Sequence, residues 1–262
     1  MLLNVQTVYS LLQSTLTIED YVDQAQQLNY QAIGIADENV LHGCYQFYQL
    51  AQAHSLKPLI GMKLTLAGLI DTMHTYSFLL YAKNYQGYLD LIILSKHLNQ
   101  EPIDSNSIYQ LLEQFSADLV MIHLGKESEL IQALIQTDQN YCQKIFNAWQ
   151  QIMGQNMYLS LSVRPYNNIE AQHIIDFAQT TGLKIVIGQK VHSLKAEDAS
   201  SLTILQAIDQ GTSLNSADLP YEGPHYLYPA EELEQLYQQM GYSAILQNTQ
   251  TLINQLNVQL PD

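Results

Sequence analysis

The sequence predicts an α/β fold, and three observations predict it. Seven short apolar runs rich in Val, Ile, Leu and Tyr recur along the chain. Amphipathic helical patterns lie between most of them. The runs are nearly continuous in apolar character rather than alternating, as expected for strands of a mainly parallel sheet covered by helices.

Taken in order, Leu2–Thr7 is the first strand. A helix starts at Thr17, with Asp20 three residues on, a capping-box spacing in which Asp replaces the usual Glu. Its apolar positions Ile18, Tyr21, Val22, Ala25 and Leu28 recur at intervals of three and four, one stripe facing a core. Ala32–Ala36 is the second strand, and Tyr45–His54 a helix with Phe47, Leu50 and Ala51 turned inward. Pro58–Leu66 and Tyr76–Ala82 are the third and fourth strands. No helical pattern lies between Met62 and Tyr76, which leaves room for a different connection there. A helix over Asn84–Leu98 precedes the strand Asp118–Leu124. Met157–Val163, a helix over Ile169–Gln179 and the strand Lys184–Ile187 complete the set. Seven such strands can close into a small barrel or lie open, and periodicity does not choose between the two.

The alternation stops after Gly211. Residues 1–210 therefore read as the α/β unit, and 211–262 as a loop and C-terminal helices. Gly211–Gly223 carries Ser213, Asn215, Ser216, Pro220 and Gly223, a loop composition. A short extended piece, "HYLY", a turn at Pro229 and a helix follow, then a last helix over Ser243–Asn254. The closing "NVQLPD" gives no stop for the fold, so further sequence is expected beyond it.

Composition narrows the function. The chain has 10 Lys plus Arg against 25 Asp plus Glu, for a net charge of -15. Arg164 is the only arginine. Binding nucleic acid requires cations that displace condensed counterions, so direct DNA or RNA binding is not expected. The acidic surface instead suits solubility or a basic protein partner. No apolar run is long enough to span a bilayer, and no secretory signal pattern opens the chain. Two cysteines, Cys44 and Cys142, make no disulfide framework. Buried free thiols in a reducing cytoplasm are the expectation.

In an α/β barrel the site lies at the carboxyl ends of the strands. The first strand carries Asn4 and Gln6, Asp37 and Glu38 end the second, Lys63 lies in the third, Ser77 opens the fourth, His123 ends the fifth, Ser160 and Ser162 lie in the sixth, and Gln189, Lys190 and His192 follow the seventh. Asp37, Glu38, His123 and His192 have the chemistry of metal ligands. Two lysines share their pocket and would repel an ion. The simpler expectation is that His192 is a hydrogen-bonded histidine under the mouth. Asp37 is then a carboxylate accepting N–H bonds from the turn that follows it. No CxxC pair, GxSxG elbow, GxxxxGK[ST] loop or HExxH helix occurs.

The stretch "TVYSLLQSTLTIEDYVDQAQQLNYQAIGIADENVLHGCYQFYQLAQAHSLKPLIGMKL" resembles the polymerase and histidinol phosphatase (PHP) domain, in the version found at the N-terminus of bacterial DNA polymerase III alpha subunits. The resemblance continues through "LLYAKNYQGYLDLIILSKHLN", "NMYLSLSV", "VHSLKAEDASSLTILQAI" and "HYLYPAEELEQLY". It implies a distorted seven-stranded (β/α)7 barrel with a helical C-terminal extension. It also says where metal ligands belong. The family's HxH falls on Asn4 and Gln6, an acid on Gln13, and an Asp-His pair on Asp37 and Glu38. A glutamate falls on Lys63, a histidine on Ser77 and an acid on Lys190; His192 keeps a ligand type. One further ligand, near Lys126, has no clear counterpart.

The resemblance thus implies a barrel retained for a structural and interaction role within a replicative DNA-directed DNA polymerase, with its metal positions vestigial and no catalytic residue or cofactor of its own. Mg2+ would belong to the polymerase domain of the longer chain. The implied partners are the rest of the alpha subunit and a proofreading exonuclease subunit, with neither nucleic acid nor membrane contacted directly. The alternative is a residual metal-dependent phosphoesterase, either a proofreading exonuclease or a pyrophosphatase. Within the vacated site, Glu38 is expected to pair with Lys63 or Lys190, with His192 nearby.

Overall fold

A computed structural model of the chain describes residues 2–100, 102–162, 168–209, 211–213 and 225–261. Val163, Arg164, Asp262 and most of the Gly211–Gly223 loop lie outside the described residues. The chain opens with β1 (Asn4–Val5), α1 (Ile18–Gln27), β2 (Ala32–Ile35), α2 (Cys44–Ala53), β3 (Lys57–Ala67) and β4 (Thr75–Ala82). It continues with α3 (Tyr85–Leu98), α4 (Ser105–Phe115), β5 (Leu119–His123), α5 (Glu129–Ile135), α6 (Gln139–Met153), β6 (Met157–Leu161) and α7 (Asn168–Thr181). Last come β7 (Lys184–Ile187), β8 (Lys190–Val191), α8 (Ala199–Asp209), α9 (Ala230–Gln239) and α10 (Ser243–Gln255).

Six strands form one sheet in the order β2-β3-β4-β5-β6-β7, and β1 pairs with β8 in parallel. A bridge between Leu2 and Ile33 and a 2.8 Å bond from Ala36 N to Val5 O tie β1 to β2. The sheet curls so that residues from β1 round to β7 share one inner cluster, with Leu3, Leu59, Tyr81, Ile122 and Val186 among them. Leu252, Ile253 and Leu256 of α10 join the same cluster. Each side chain buried to that degree contributes roughly 1.5–3 kcal/mol. Tyr81 fills much of this interior, and a Cβ at Gly34 or Gly61 would meet it at 2.5 or 2.8 Å. Glycine is required at both positions by that close approach. The outer faces of the strands pack on the helices, for example Ile33 and Ile35 with Ile18, Tyr21 and Phe47.

Two expectations are corrected. Eight strands are present among the described residues rather than seven, and the first is only Asn4–Val5 because Gln6 and Thr7 turn into loop hydrogen bonds. The sheet is also less parallel than its apolar strands imply, since β4 runs antiparallel to both β3 and β5. The reason is the short link from Ala67 to Thr75. A parallel crossover needs a dozen residues or more, so this link makes a hairpin, closed by Gly68 N to His74 O at 2.9 Å. Buried Glu129 braces the hairpin, accepting N–H bonds from Leu69, Ile70 and Asp71 at 2.8, 3.2 and 2.7 Å.

The helix starts follow their capping chemistry. Thr17 Oγ1 accepts from Asp20 N at 3.2 Å and donates to Asp20 Oδ2 at 2.7 Å. The Asp is one methylene shorter than Glu, and here it meets the hydroxyl. Asn84 caps α3 by accepting from Gly87 N at 3.0 Å. Cys44 and Cys142 are both buried free thiols.

Candidate functional site: an ionic cluster at the strand ends

Strand periodicity decides which side chains meet. Side chains two apart share a face of a strand. Ala36 of the inner cluster puts Glu38 on the inner side, and Leu59 does the same for Lys63. Leu79 and Tyr81 place Ser77 there, and Val186 places Lys190. Because β4 is antiparallel, its first residues stand beside the carboxyl ends of β3 and β5, which brings Ser77 to the same mouth.

These residues form one continuous polar chain. Ser77 Oγ lies 2.9 Å from Thr65 Oγ1, and Thr65 Oγ1 donates to Glu38 Oε1 at 2.7 Å. Glu38 Oε2 is 3.6 Å from Lys63 Nζ. Lys63 Nζ is 2.7 Å from Glu127 Oε2, and Lys190 Nζ is 3.1 Å from Glu127 Oε1. The Lys63 side chain is only 7% exposed, against 32% for Glu127. Burial opposes ionisation of Glu127, but the Lys190 and Lys63 ammoniums outweigh it and hold its carboxyl at about 2. Glu38 thus pairs with Lys63, and Lys190 goes to Glu127 instead.

Glu127 was missed in the sequence. It sits in a single 3-10 turn, Gly125–Glu127, directly after β5. An acid just beyond a strand's carboxyl end was the available signal. Lys126, the neighbouring position, points elsewhere and pairs with Glu170 at 2.9 Å.

Asp37 falls on the opposite strand face and belongs to a second network. Its Oδ1 accepts from Thr7 N and from Ser10 Oγ, both at 2.7 Å, and its Oδ2 from Thr7 Oγ1 at 2.8 Å. The expectation of bonds from the turn after Asp37 is corrected: the donors come from the loop after β1. Parallel pairing sets that loop against the end of β2. Burial raises the Asp37 pKa, and the Ser10 and Thr7 bonds pull against that rise. Gln6 Nε2 donates to Gln13 Oε1 at 3.1 Å and to Ser10 Oγ at 3.3 Å. Asn4 Oδ1 and Gln6 Oε1 are buried with no hydrogen-bond partner among the described residues.

His192 is buried, and its ring lies 6.0 Å from that of His225. Its backbone carbonyl accepts from Ser14 Oγ at 2.9 Å. His123 turns outward, with Nδ1 2.9 Å from Ser128 Oγ and its ring edge-on to Trp149. Burial drives its pKa down to about 3. Ser160 Oγ donates to His123 O at 2.7 Å, and Ser162 Oγ to Gly188 O at 2.6 Å, so both serve the backbone.

This donor set suits a divalent cation poorly. Two ammoniums occupy the centre of the cluster, and both carboxylates facing them are already ion-paired. Asn4 and Gln6 offer only neutral amide oxygens. Among the described residues, no three His, Cys, Asp or Glu side chains are grouped so as to hold a metal ion.

Comparison with known proteins places the chain in a family. The DNA polymerase III subunit alpha of Bacillus subtilis (strain 168) is 27% identical over 243 residues, which cover 90% of this chain and 21% of that protein. The same subunit of Halalkalibacterium halodurans is 24% identical over 264 residues, covering 98% of this chain and 23% of the relative. The chain therefore spans about a fifth of the length of these relatives. In fold it is similar to an amidohydrolase from Chromobacterium violaceum, solved with bound SO4 and no metal, at a TM-score of 0.51 and 12% identity over 89% of this chain and 95% of that one. Residues 3–163 match the PHP domain, and the chain belongs to that family.

Proposed function

We propose that this chain is the PHP domain of a DNA polymerase III alpha subunit, serving there as a structural and interaction module without hydrolytic chemistry of its own. The observation that carries this reading is Lys63 Nζ lying between Glu38 and Glu127, with Lys190 on the far side of Glu127. Protein ammoniums stand where the family resemblance calls for metal ligands. They neutralise carboxylates that an ion would otherwise hold together. On this reading Asn4, Gln6, Gln13, Asp37, Glu38, Lys63, Ser77, Lys190 and His192 are vestigial metal positions.

The similarity to alpha subunits over nearly the whole chain supports the assignment to a replicative polymerase. The polymerase activity, and the Mg2+ it would need, then belong to the rest of that longer protein. The partners would be that remainder and a proofreading exonuclease subunit, in the cytoplasm. With a net charge of -15, this domain would leave DNA contact to other parts. Among the described residues no helix is long and apolar enough to cross a membrane.

The test is metal content after purification without chelators, combined with hydrolysis assays on single-stranded DNA and pyrophosphate with added Mn2+, Zn2+ or Mg2+. Neither stoichiometric metal nor turnover is expected, since metal-assisted hydrolysis needs an ion to acidify bound water. Metal-dependent turnover that is lost in His192→Ala would instead establish a residual phosphoesterase.

A further inference from the structure

Outside the strand-end cluster, α5, α6 and α7 enclose a cleft of about 440 Å3. That volume falls within the range of small-molecule sites. It shares no residue with the ionic cluster. Its apolar surface comes from Leu134, Cys142 and Phe177, and Phe177 is held by an edge-on contact with Phe146 at 5.6 Å. The helical repeat builds the facing walls. Gln139, Cys142 and Gln143 share one face of α6, and His173, Asp176, Phe177 and Thr180 share one face of α7.

Three features define what fits. Among the described residues, Asp176 is the only formally charged one in the lining, and no Lys or Arg lines the cleft. Its Oδ1 accepts from Gln172 Nε2 at 2.7 Å, which orients the carboxylate. His173 stands one turn before Asp176 on the same face of α7 and adds an imidazole ring to the wall. Thr137, at the rim, holds the left-handed backbone at φ 61°, uncommon for a β-branched residue. Cys142 does not make the cleft reactive: burial and then Asp138 push its thiol up to about 11.

We infer that this cleft is a binding site for a small amine with an apolar body. The apolar part lies against Phe177, Leu134 and Cys142, and the ammonium meets the Asp176 carboxylate. Phosphates and carboxylates are disfavoured, because among the described residues no cation lines the cleft to answer them. The site is binding only, with no covalent step.

The test titrates the full 262-residue protein with 2-phenylethylamine and, separately, with phenylacetate, by calorimetry and by amide NMR shifts. Saturable binding of the amine is expected, with shifts confined to α5, α6 and α7. Phenylacetate should bind about fivefold more weakly or not at all, the upper end for an exposed ion pair. Asp176→Asn should remove that preference. Gln143→Trp, at an exposed position on the wall, should block both ligands without disturbing the core. Absence of saturable amine binding, equal binding of the anion, or binding that survives Gln143→Trp would each overturn the assignment.

Discussion

Lys63 Nζ approaches Oε2 of Glu127 to 2.7 Å, although the two residues come from β3 and from the turn after β5. A buried ammonium with one carboxylate removed is left under-compensated. Glu127→Gln is therefore expected to cost about 2 kcal/mol, between the values for fully buried and exposed pairs. Lys63→Met should cost less, because it also removes the desolvated charge. The double variant should cost less than the sum of the two single variants, by a coupling of about 1 kcal/mol or more in urea unfolding. Additive single effects would show the contact to be energetically idle.

The acid limb of the stability curve separates the two networks. Glu127 titrates at about 2 in the fold against an ordinary 4.5. A depressed carboxyl contributes stability that is present above the unfolded pKa, here lost as pH falls from 4.5 toward 2. Asp37 has the opposite sign. Its raised pKa means that the fold binds more protons, so its contribution weakens as pH rises from about 3.8. Glu127→Gln should flatten acid unfolding below pH 4.5. Asp37→Asn should not flatten it, and should leave the Glu127 contribution more exposed.

Much of this arrangement was legible in the residues, and the exceptions have causes. Lys184–Ile187 is a strand at the bounds expected for it, and Ala32–Ala36 differs by one residue, because continuous apolar runs mark buried strands wherever they lie. The direction of β4 was not legible, since an apolar run reads the same either way. The Lys63–Glu38 pair could be anticipated, as Glu38 follows β2 and Lys63 lies on neighbouring β3, both on the inner face and joined by a β-bridge. Glu127 could not be placed. Its position depends on the 3-10 turn after His123, and a shift of one residue puts Lys126 there instead.

His123 supplies a second pH signature at higher pH. Burial lowers its pKa to about 3, so it stays neutral in the fold while the unfolded chain protonates it near 6.5. A depressed histidine contributes stability that is full above 6.5 and lost as pH falls from there toward 3. The slope is at most about 1.4 kcal/mol per pH unit for one proton. Replacing it with Gln, which can still bond Ser128, should remove that slope between pH 6 and 4. NMR titration of the ring should show no protonation at pH 5; a transition near 6.5 in the folded protein would refute the assignment.

The last prediction concerns Glu129, the carboxylate that braces the β3–β4 hairpin. It accepts from Leu69 N, Ile70 N and Asp71 N, and from Tyr141 Oη at 2.8 Å. The two carboxylate oxygens share these four donors: Oε2 takes Leu69 N, and Oε1 takes the rest. In Glu129→Gln one of those oxygens becomes an NH2 group that can only donate. At least one backbone N–H then faces a donor at a buried site, and the charge assistance to the others is lost. The expected cost is about 2–3 kcal/mol. Tyr141→Phe removes a single donor and should cost about 1 kcal/mol, leaving the cradle intact. Because the hairpin sets Ser77 beside β3, loosening it should also reach the strand-end cluster. Amide exchange separates these outcomes: Leu69, Ile70 and Asp71 should lose protection in Glu129→Gln but keep it in Tyr141→Phe. Equal protection in both variants would mean that β-pairing alone holds the hairpin and that Glu129 is dispensable to it.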